Sequence, residues 1–363
     1  MMTPLYIISS SCISPQASFA SDDMFAHVNH SNNNMLTCIE PDFSKYINPV
    51  QIRRMSRALK IGYSAAMECL HKQAVITPEA IIIGTGKGCL SDTEHFLHSI
   101  KEYNETALNA THFIHSTYNQ LNGMIALNQK ISSYNITYVH RAYSFEHTLI
   151  DTALLFSEDE ITCALVGSFD EMTTEHFRVK KHWGYWKNEF IDSRDLLKSN
   201  TVGTISGEGA AFYLLQKNKP TTPCVSIQDI RTLFKATFDD IQSALTHLLA
   251  SNHISINDID VVLSGENGDA NYAIAYQQFH ALFANAQITY FKHLCGEYDT
   301  SVSFACYVAS EILLTQKVPD TLLYPETKRQ KAEKSIRYVL IYNNYFQLNQ
   351  SLILMKLHRS NTF

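Results

Sequence analysis

The chain has 363 residues, of which 45% are hydrophobic and 18% are charged, a balance typical of folded globular proteins rather than disordered ones. Its formal net charge is −6 and no basic run could follow a phosphate backbone, so we expect no nucleic-acid partner. The apolar N-terminal segment, 1–14, lacks a positive flank and is too short to span a bilayer. The sequence therefore predicts a first strand and a cytoplasmic protein without membrane insertion.

Strands and helices alternate through the first part of the chain. The predicted elements are a strand at 5–12, an amphipathic helix near 52–73, a buried strand at 80–86, a helix capped by Ser91, a helix around 113–130, a strand–turn–helix–strand unit at 135–171 and a strand at 207–217. Glu94, three residues after Ser91, completes a capping pattern at the helix start.

The second part of the chain repeats this alternation. The predicted elements are a strand at 224–234, a helix at 237–252, a strand at 258–265, a helix at 271–284, a strand at 288–293, a helix at 301–316, and two final strands near 336–343 and 349–358.

Two rounds of alternating strands and helices predict an α/β protein of two duplicated βαβαβαβ-type halves with mainly parallel sheets, because parallel strands need crossover helices. The boundary is expected near 217–223, KNKPTTP, which gives halves of 1–219 and 220–363. No proline- or glycine-rich linker separates the halves, so we expect them to pack as one body.

Cysteine and histidine spacing does not indicate a metal site. The eight cysteines include no C-x-x-C pair, and the sixteen histidines include no H-x-x-x-H or H-E-x-x-H motif. We therefore expect reduced, mostly buried thiols, no metal and no cofactor.

The turn within 135–171 has the form of an elbow that holds a nucleophile in many α/β enzymes. Here it reads His140-Arg141-Ala142-Tyr143-Ser144, without an obvious nucleophile. A substitute pair of Ser144 with His140 is conceivable, although a histidine on the strand would point away without special geometry.

Several motifs together resemble the β-ketoacyl synthases of the thiolase superfamily. They are the glycine-rich GTGKGCLSDTEHF at 84–96, the elbow region from 113 to about 173, SGEGAAFYLL at 206–215 and, more weakly, YFKHLCGEYDTSVSFACYVASEILL at 290–314. The resemblance covers about residues 5–358. It implies a thiolase-like fold with αβαβα layers, in which both halves contribute buried helices.

The resemblance also identifies the positions of the catalytic residues. Family members use an elbow cysteine, whose thiolate the helix N-terminus favours, and two histidines that stabilise an enolate. Ala142 stands where the cysteine is expected, Ser264 at the first histidine and Glu297 at the second. Lys292 matches a family lysine, whereas Cys306 replaces a glutamate. We therefore expect no catalytic residue of the family type.

Further pocket or gate candidates flank these positions: Tyr143, Ser144, His147, Tyr345 and Phe346. The last two belong to NYFQLN, 344–349, which replaces the family's G-F-G-G-x-N turn, so we expect the oxyanion site to be missing.

Plainer interpretations stay open for individual residues. His147 is then a packing or capping residue, Lys292 a surface cation, and Glu297 a hydrogen-bonded or solvent-facing acid. Asp269 and Asp299 are interpreted as turn residues.

The resemblance favours a non-catalytic β-ketoacyl synthase-like subunit, called a chain-length factor in type II polyketide, aryl-polyene and flexirubin-type pathways. Such a subunit pairs with an active ketosynthase and shapes the acyl-chain tunnel, with an acyl carrier protein as a further partner. The strand in 135–141, NITYVHR, is expected to pair across the dimer, either in a heterodimer or in a homodimer.

Two other hypotheses stay open. One is an acyltransferase or decarboxylase with a site relocated around Ala142, Ser144, Lys292 and Glu297. The other is a stand-alone acyl or carrier-protein binding protein, whose basic patch would come from RRMSRALK, 53–60, or RVKKHWGYWK, 178–187.

Overall fold

Ten strands form one hydrogen-bonded sheet in the described part of the computed structural model, which covers residues 2–21, 23–73, 76–106, 108–323 and 335–359. The strands are β1 (Leu5–Ile13), β2 (Ala80–Gly84), β3 (Tyr134–Tyr138), β4 (Cys163–Asp170), β5 (Gly209–Gln216), β6 (Cys224–Phe234), β7 (Val261–Ser264), β8 (Gln287–Tyr290), β9 (Tyr338–Tyr345) and β10 (Asn349–His358).

The helices cover both faces of this sheet. They are α1 (Pro49–Ile52), α2 (Arg57–His71), α3 (Leu90–Glu102), α4 (Ala110–His115), α5 (Gln120–Gln129), α6 (Ser144–Ser157), α7 (Thr174–His182), α8 (Phe238–Ser251), α9 (Ala273–His280), α10 (Lys292–Cys295) and α11 (Val302–Thr315). None of the described helices is long and apolar enough to cross a bilayer.

The strand order repeats between the two halves of the sheet. The first half has the order β3-β2-β4-β5-β1, and the second half has the equivalent order β8-β7-β9-β10-β6. The halves join where Leu5–Ile7 of β1 pairs with Val225–Ile227 of β6. The predicted boundary falls in the loop between β5 and β6, but independent domains remain a prediction.

The pairing is mixed rather than mainly parallel, which corrects one detail of the sequence prediction. Four strand pairs are parallel and five are antiparallel. β5 follows a long connection, 171–208, that contains α7, whereas β10 follows β9 by a short turn, yet both strands run antiparallel to their neighbours. Alternation along the sequence could not distinguish these two strands from the others.

Successive residues of the strands enter different cores, which places helices in three layers. In β2, Ala80 and Ile82 pack against the central helices α6 and α11, whereas Ile81 and Ile83 pack against α2. In the second half, Leu340 and Tyr342 of β9 face an outer core with α8 and α9. Since side chains alternate along a strand, each half of the sheet is covered on both faces. The resulting order of layers is helices, the first half of the sheet, the central helices, the second half of the sheet, and helices again.

Two predicted helix boundaries differ from the structure. α3 begins at Leu90 with Cys89 at its N-cap, so Ser91 lies inside the helix. A carboxylate from the end of β4 replaces the predicted local cap, because Glu171 accepts a hydrogen bond from the Ser91 backbone N–H at 2.9 Å. Glu94 instead accepts from Thr173. The helix predicted around 113–130 is divided into α4 and α5.

Candidate functional site

The elbow between β3 and α6 has a tightly constrained backbone. Arg141 adopts a left-handed conformation with φ +51° and begins a 3-10 turn that leads directly into α6. Gly84 of β2 lies against the helix start, since a Cβ there would be 2.5 Å from the Ser144 carbonyl carbon. Ala142 is only 2% exposed. The elbow therefore has a nucleophile-type shape but presents a methyl group.

Ser144 is held by the backbone around it. Its buried hydroxyl accepts from the His140 backbone N–H at 2.8 Å and lies 2.8 Å from the carbonyl oxygens of Thr85 and Arg141. The hydroxyl proton can serve one of these carbonyls at a time. The imidazole of His140 instead stacks on Tyr143, with ring centroids 5.3 Å apart. This geometry joins the turn to β2 and leaves no Ser144–His140 side-chain pair.

His147 and Tyr143 belong to a ring cluster beside the elbow. The His147 ring lies 5.8 Å from that of Tyr138, 5.0 Å from His140 and 5.8 Å from Tyr143. Burial, together with His140, lowers the pKa of His147. The Tyr143 hydroxyl donates to the carbonyl of Leu233, and burial raises the pKa of Tyr143 to about 12. His147 therefore packs in the ring cluster, and Tyr143 fastens the elbow to the backbone of Leu233.

Lys292 and Glu297 form a buried ion pair. Their side chains are 0% and 1% exposed, and the ammonium lies 2.5 Å from the carboxylate. Lys292 also donates to Ser301, and the second Glu297 oxygen accepts from Asn267 at 2.9 Å. Each charge has further polar partners, as a charge in a low-dielectric interior requires. Cys306, where the family glutamate was expected, is fully buried.

The backbone places Glu297 by a close contact between the two halves. Glu297 donates its N–H to Ile205 and accepts from Gly207, at 2.9 and 3.1 Å. A Cβ on Gly207 would lie 1.8 Å from the carbonyl oxygen of Cys295, so this contact requires a glycine. The GEG segment therefore positions Glu297, which the sequence resemblance predicts to stand in place of the second histidine.

Ser264 lies at the end of β7 in a separate hydrogen-bonded group. Its fully buried hydroxyl lies 2.9 Å from Nε2 of His280 and accepts from the Glu266 backbone N–H at 3.2 Å. Burial lowers the pKa of His280 to about 4, so at neutral pH this ring is uncharged and can accept the serine proton. Burial also raises the pKa of Glu266 to about 7. Ser264 contacts none of the other predicted site residues through a hydrogen bond.

A small polar cleft, with room for about one water molecule, lies between the halves. Its walls are Lys87, Asp170, Glu171, Met172, His176, Lys180, Tyr298 and Asp299. Asp299 accepts from Lys87 and from Tyr345, and lies 4.0 Å from Lys180. Burial opposes ionisation of Asp299, but Lys180 and Lys87 outweigh it and hold its pKa below its usual range.

A second carboxylate under the cleft binds the backbone. Asp170 accepts from the N–H groups of Gly86 and Thr300 at 2.8 and 3.0 Å, and from both threonine hydroxyls at Thr85 and Thr300. Burial and the charge of Asp299 raise the pKa of Asp170 to about 6. Asp170 therefore fixes the loop after β2 against the segment that begins α11.

The turn between β9 and β10 keeps a backbone that usually requires glycine. Phe346 and Gln347 both have φ +52°, in the left-handed region that is costly for residues with a Cβ. The Phe346 ring lies 4.7 Å from Tyr185 and 4.6 Å from Tyr345. These ring contacts help to hold the strained turn over the cleft.

No group of three or more His, Cys, Asp or Glu side chains among the described residues could hold a metal ion. The eight cysteines are free thiols and all are buried. The site therefore consists of ion pairs, hydroxyls and rings.

Comparison with solved structures identifies the architecture. The chain is similar to the ishigamide ketosynthase/chain length factor, with a TM-score of 0.78 and 15% identity over 98% of this chain and 99% of that one. A β-ketoacyl synthase from Burkholderia phymatum STM815 gives a TM-score of 0.80 and 13% identity over 99% and 100%. The chain has a ketosynthase fold.

A third similar structure is a type II polyketide acyl-carrier protein in complex with its ketosynthase. It gives a TM-score of 0.70 and 14% identity, covering 98% of this chain and 99% of that one. No protein-family model and no curated protein matches the sequence. At these identities the ketosynthase fold is what the proteins share, and the thiolase-like prediction is confirmed at that level.

Within the ketosynthase fold, the predicted site residues fall into separate groups. Lys292 and Glu297 bind each other, Tyr143, Ser144 and His147 surround Ala142, and Ser264 binds His280. Tyr345 and Phe346 lie together at the β9–β10 turn. No hydrogen bond in the described chain joins the elbow group to the Ser264 group.

Sequence reasoning missed the residues around the cleft. Asp299 was interpreted as a turn residue, yet it is buried among two lysines and a tyrosine. Asp269 does bind a turn backbone, accepting from Asn271 at 3.0 Å. Lys87 lies inside the quoted GTGKG motif and was the one available signal. Nothing in the sequence indicated that Lys180 is buried, because it lies in a run of basic residues and its two neighbours in the chain are exposed.

Proposed function

We propose that this chain is a non-catalytic β-ketoacyl synthase-like subunit. In this role it pairs with an active ketosynthase, and the pair acts on acyl chains carried by an acyl carrier protein in a fatty-acid or polyketide-type pathway. The chain contributes a wall of the acyl tunnel rather than a nucleophile. An aryl-polyene pathway and a cytoplasmic location are finer parts of the same proposal.

The observation that carries this proposal is an elbow whose backbone is closely held although its apex has no nucleophilic side chain. The left-handed Arg141, the close contact of Gly84 and the bonds of Ser144 all maintain the strand-to-helix turn. The residue at its apex is Ala142, which has no group that can accept an acyl chain. Maintaining such a turn without a nucleophile favours a structural use of the elbow.

The unpaired edge of β3 supports pairing with another chain. In the described residues β3 pairs with β2 alone, so its other edge offers free backbone donors and acceptors. Tyr134 of β3 is exposed, as are Val139, which directly follows the strand, and Leu154 of α6. An edge with apolar side chains is suited to strand addition across a dimer.

The relocated-site hypothesis receives no support from side-chain geometry. Ser144 is engaged by backbone groups, and Glu297 is neutralised by Lys292. Ser264 has a histidine partner, but its hydroxyl is fully buried and His280 is a weak base with a pKa of about 4. A substrate thioester therefore has no accessible nucleophile in this arrangement.

Co-expression tests the proposal. We expect a one-to-one complex in native mass spectrometry when this chain, carrying a tag, is co-purified with a cysteine-containing ketosynthase from the same genome. Val139→Lys should reduce the yield of the complex at least tenfold, because it places a charge on the pairing edge. Ile274→Lys, at an exposed residue of α9 in the other half, is the matched control and should leave the yield unchanged.

Intact mass after incubation with an acyl thioester gives a second readout. We expect an adduct on the ketosynthase partner and none on this chain. A covalent adduct on this chain, or a homodimer that excludes the ketosynthase, would contradict the proposal.

A further inference from the structure

A row of paired residues crosses the joint between the two halves of the sheet. Tyr6 of β1 pairs with Ser226 of β6, Ser226 with Lys356 of β10, and Lys356 with Tyr338 of β9. Directly paired residues of antiparallel strands present their side chains on the same face of a sheet. Tyr338 belongs to the outer core with α8 and α9, so the row lies on the outer face. We call these four residues the junction row.

The junction row lies past the end of helix α8, which covers the neighbouring part of the same face. Asn252, the C-cap of α8, donates to Asp229 at 3.1 Å, and Asp229 lies farther along β6 than Ser226. Lys356 and the neighbouring His358 are both partly exposed. The imidazole of His358 joins the row, because its Nε2 is 2.7 Å from the Ser226 hydroxyl.

Three cations gather at this row. The guanidinium carbon of Arg337 and the ammonium of Lys356 lie 5.3 and 5.6 Å from the centroid of the Tyr338 ring. Burial, followed by the charges of Lys356, Lys219 and Arg337, lowers the pKa of His358 to about 4. All three cations are therefore close enough to this ring to oppose its protonation.

The charge of these cations is not balanced within the described chain. Arg337, Lys356 and Lys219 form no ion pair among the described residues. A carboxylate, that of Asp260, accepts from the backbone N–H groups of Arg337 and Tyr338 at 2.7 and 3.0 Å. Three cations against this carboxylate leave the row positive, in a chain whose net charge is −6.

The surroundings of the row are cationic rather than apolar. Arg359 is exposed, and its guanidinium donates to uncharged partners, Ser335 and Gln316. No exposed large hydrophobic side chain occurs in the described segments that supply these cations, 217–226, 335–338 and 354–359. Binding to a lipid surface generally buries apolar side chains as well as attracting cations. The row is therefore better suited to a small anion than to a bilayer.

We propose that the junction row binds the phosphate group of a small ligand, held by Arg337, Lys356 and Lys219. The guanidinium can bind two phosphate oxygens at once, and each ammonium adds a point charge. A bound phosphate also relieves the repulsion among three like charges. Ser226 lies near the start of β6, whereas the elbow is bonded to Leu233 near its end. The inference therefore goes beyond the proposed function and does not depend on it.

Isothermal titration calorimetry with inorganic phosphate tests this site. The full chain is titrated with sodium phosphate at neutral pH and constant ionic strength, because salt screening would otherwise change during the titration. Sodium chloride is the reference titrant. We expect saturable binding of phosphate and none of chloride. Phosphate should also raise the melting temperature, since a ligand of the folded state stabilises it.

Neutral substitutions identify the residues that bind. Arg337→Gln with Lys356→Gln should weaken phosphate binding about tenfold or more, because it removes the fork and one point charge. Arg53→Gln with Arg54→Gln removes the same charge at two exposed positions of the other half, and should change binding less than about twofold. Lys219→Gln, at an exposed residue between β5 and β6, should weaken it about threefold. Circular dichroism confirms that each variant is folded.

Three outcomes would overturn the inference. They are phosphate binding no stronger than that of chloride, equal weakening by the two double variants, and binding of phosphatidylglycerol vesicles through Arg337 and Lys356 without binding of free phosphate. None of these results bears on the complex with a ketosynthase, which tests the proposed function separately.

Discussion

The elbow and the Lys292–Glu297 pair, which the sequence resemblance predicts to be two parts of one site, differ in what holds them. At the elbow the backbone is closely held and the apex side chain is the methyl group of Ala142. At the second position Glu297 carries a charge, which a buried lysine neutralises. Backbone contacts thus hold the elbow in its shape, whereas the buried charges of Lys292 and Glu297 depend on each other, so that one cannot be replaced without the other.

The largest expected effect comes from breaking the pair. Glu297→Ala should lower the free energy of unfolding by about 3–5 kcal/mol, because Lys292 is left as an unpaired charge in the interior. Urea unfolding of the variant measures this loss. The double variant Lys292→Met with Glu297→Met should recover most of it, since no charge remains buried. A double variant as unstable as the single one would show that the pair itself is not the cause.

Glu146 connects the two regions, because it lies on α6 one turn after Ala142 and close enough to Lys292 to interact with it. Burial raises its pKa to about 7. The folded state therefore holds a proton that the unfolded state releases, and stability should fall as pH rises from about 4.5 to about 7. In the Glu146→Gln variant, the free energy of unfolding should fall by up to roughly 3 kcal/mol less over this pH range. Unfolding free energies at several pH values test this, and parallel curves would contradict it.

Stability should depend strongly on close packing around the elbow backbone, although the residue at its apex is only an alanine. Gly84→Ala places a methyl against the Ser144 backbone and should cost about 1–3 kcal/mol through overpacking. Gly123→Ala is the control, because nothing lies within 4 Å of its Cβ position on helix α5. That change should stabilise the protein by about 0.5–1 kcal/mol. Thermal unfolding compares the two, and equal shifts would remove the role assigned to the close contact.

The smallest expected effect concerns the β9–β10 turn. Gln347→Gly removes a Cβ from a left-handed residue, and should stabilise the fold by about 0.5–1 kcal/mol after the entropy of the unfolded chain is included. Leu348→Gly has no such strain to relieve and should destabilise it. Differential scanning calorimetry measures both changes. A lower melting temperature for Gln347→Gly would show that side-chain contacts, not strain, dominate at this turn.

Periodicity and motif order predicted the fold because they depend on local patterns. Alternation of strand and helix predicted the repeated halves, and GEGA at the start of β5 occurs at the predicted place. The direction of β5 and β10 was missed, because neither the helix-containing connection before β5 nor the short turn before β10 has a residue pattern that fixes strand direction. The cap predicted at Ser91 was missed because a distant carboxylate, Glu171, supplied the partner.

The sequence by itself determined the fold class, the elbow and the absence of a nucleophile at Ala142, since these depend on neighbouring residues and on residue identity. Only the tertiary structure decided that Lys292 binds Glu297, that Asp299 binds Lys87, and that Lys180 is buried while Lys181 is exposed. The reason is physical. A charged side chain is stable in the interior only beside an opposite charge, and folding alone brings these partners together, within the second half for Lys292 and Glu297 and across the two halves for Asp299 with Lys87 and Lys180.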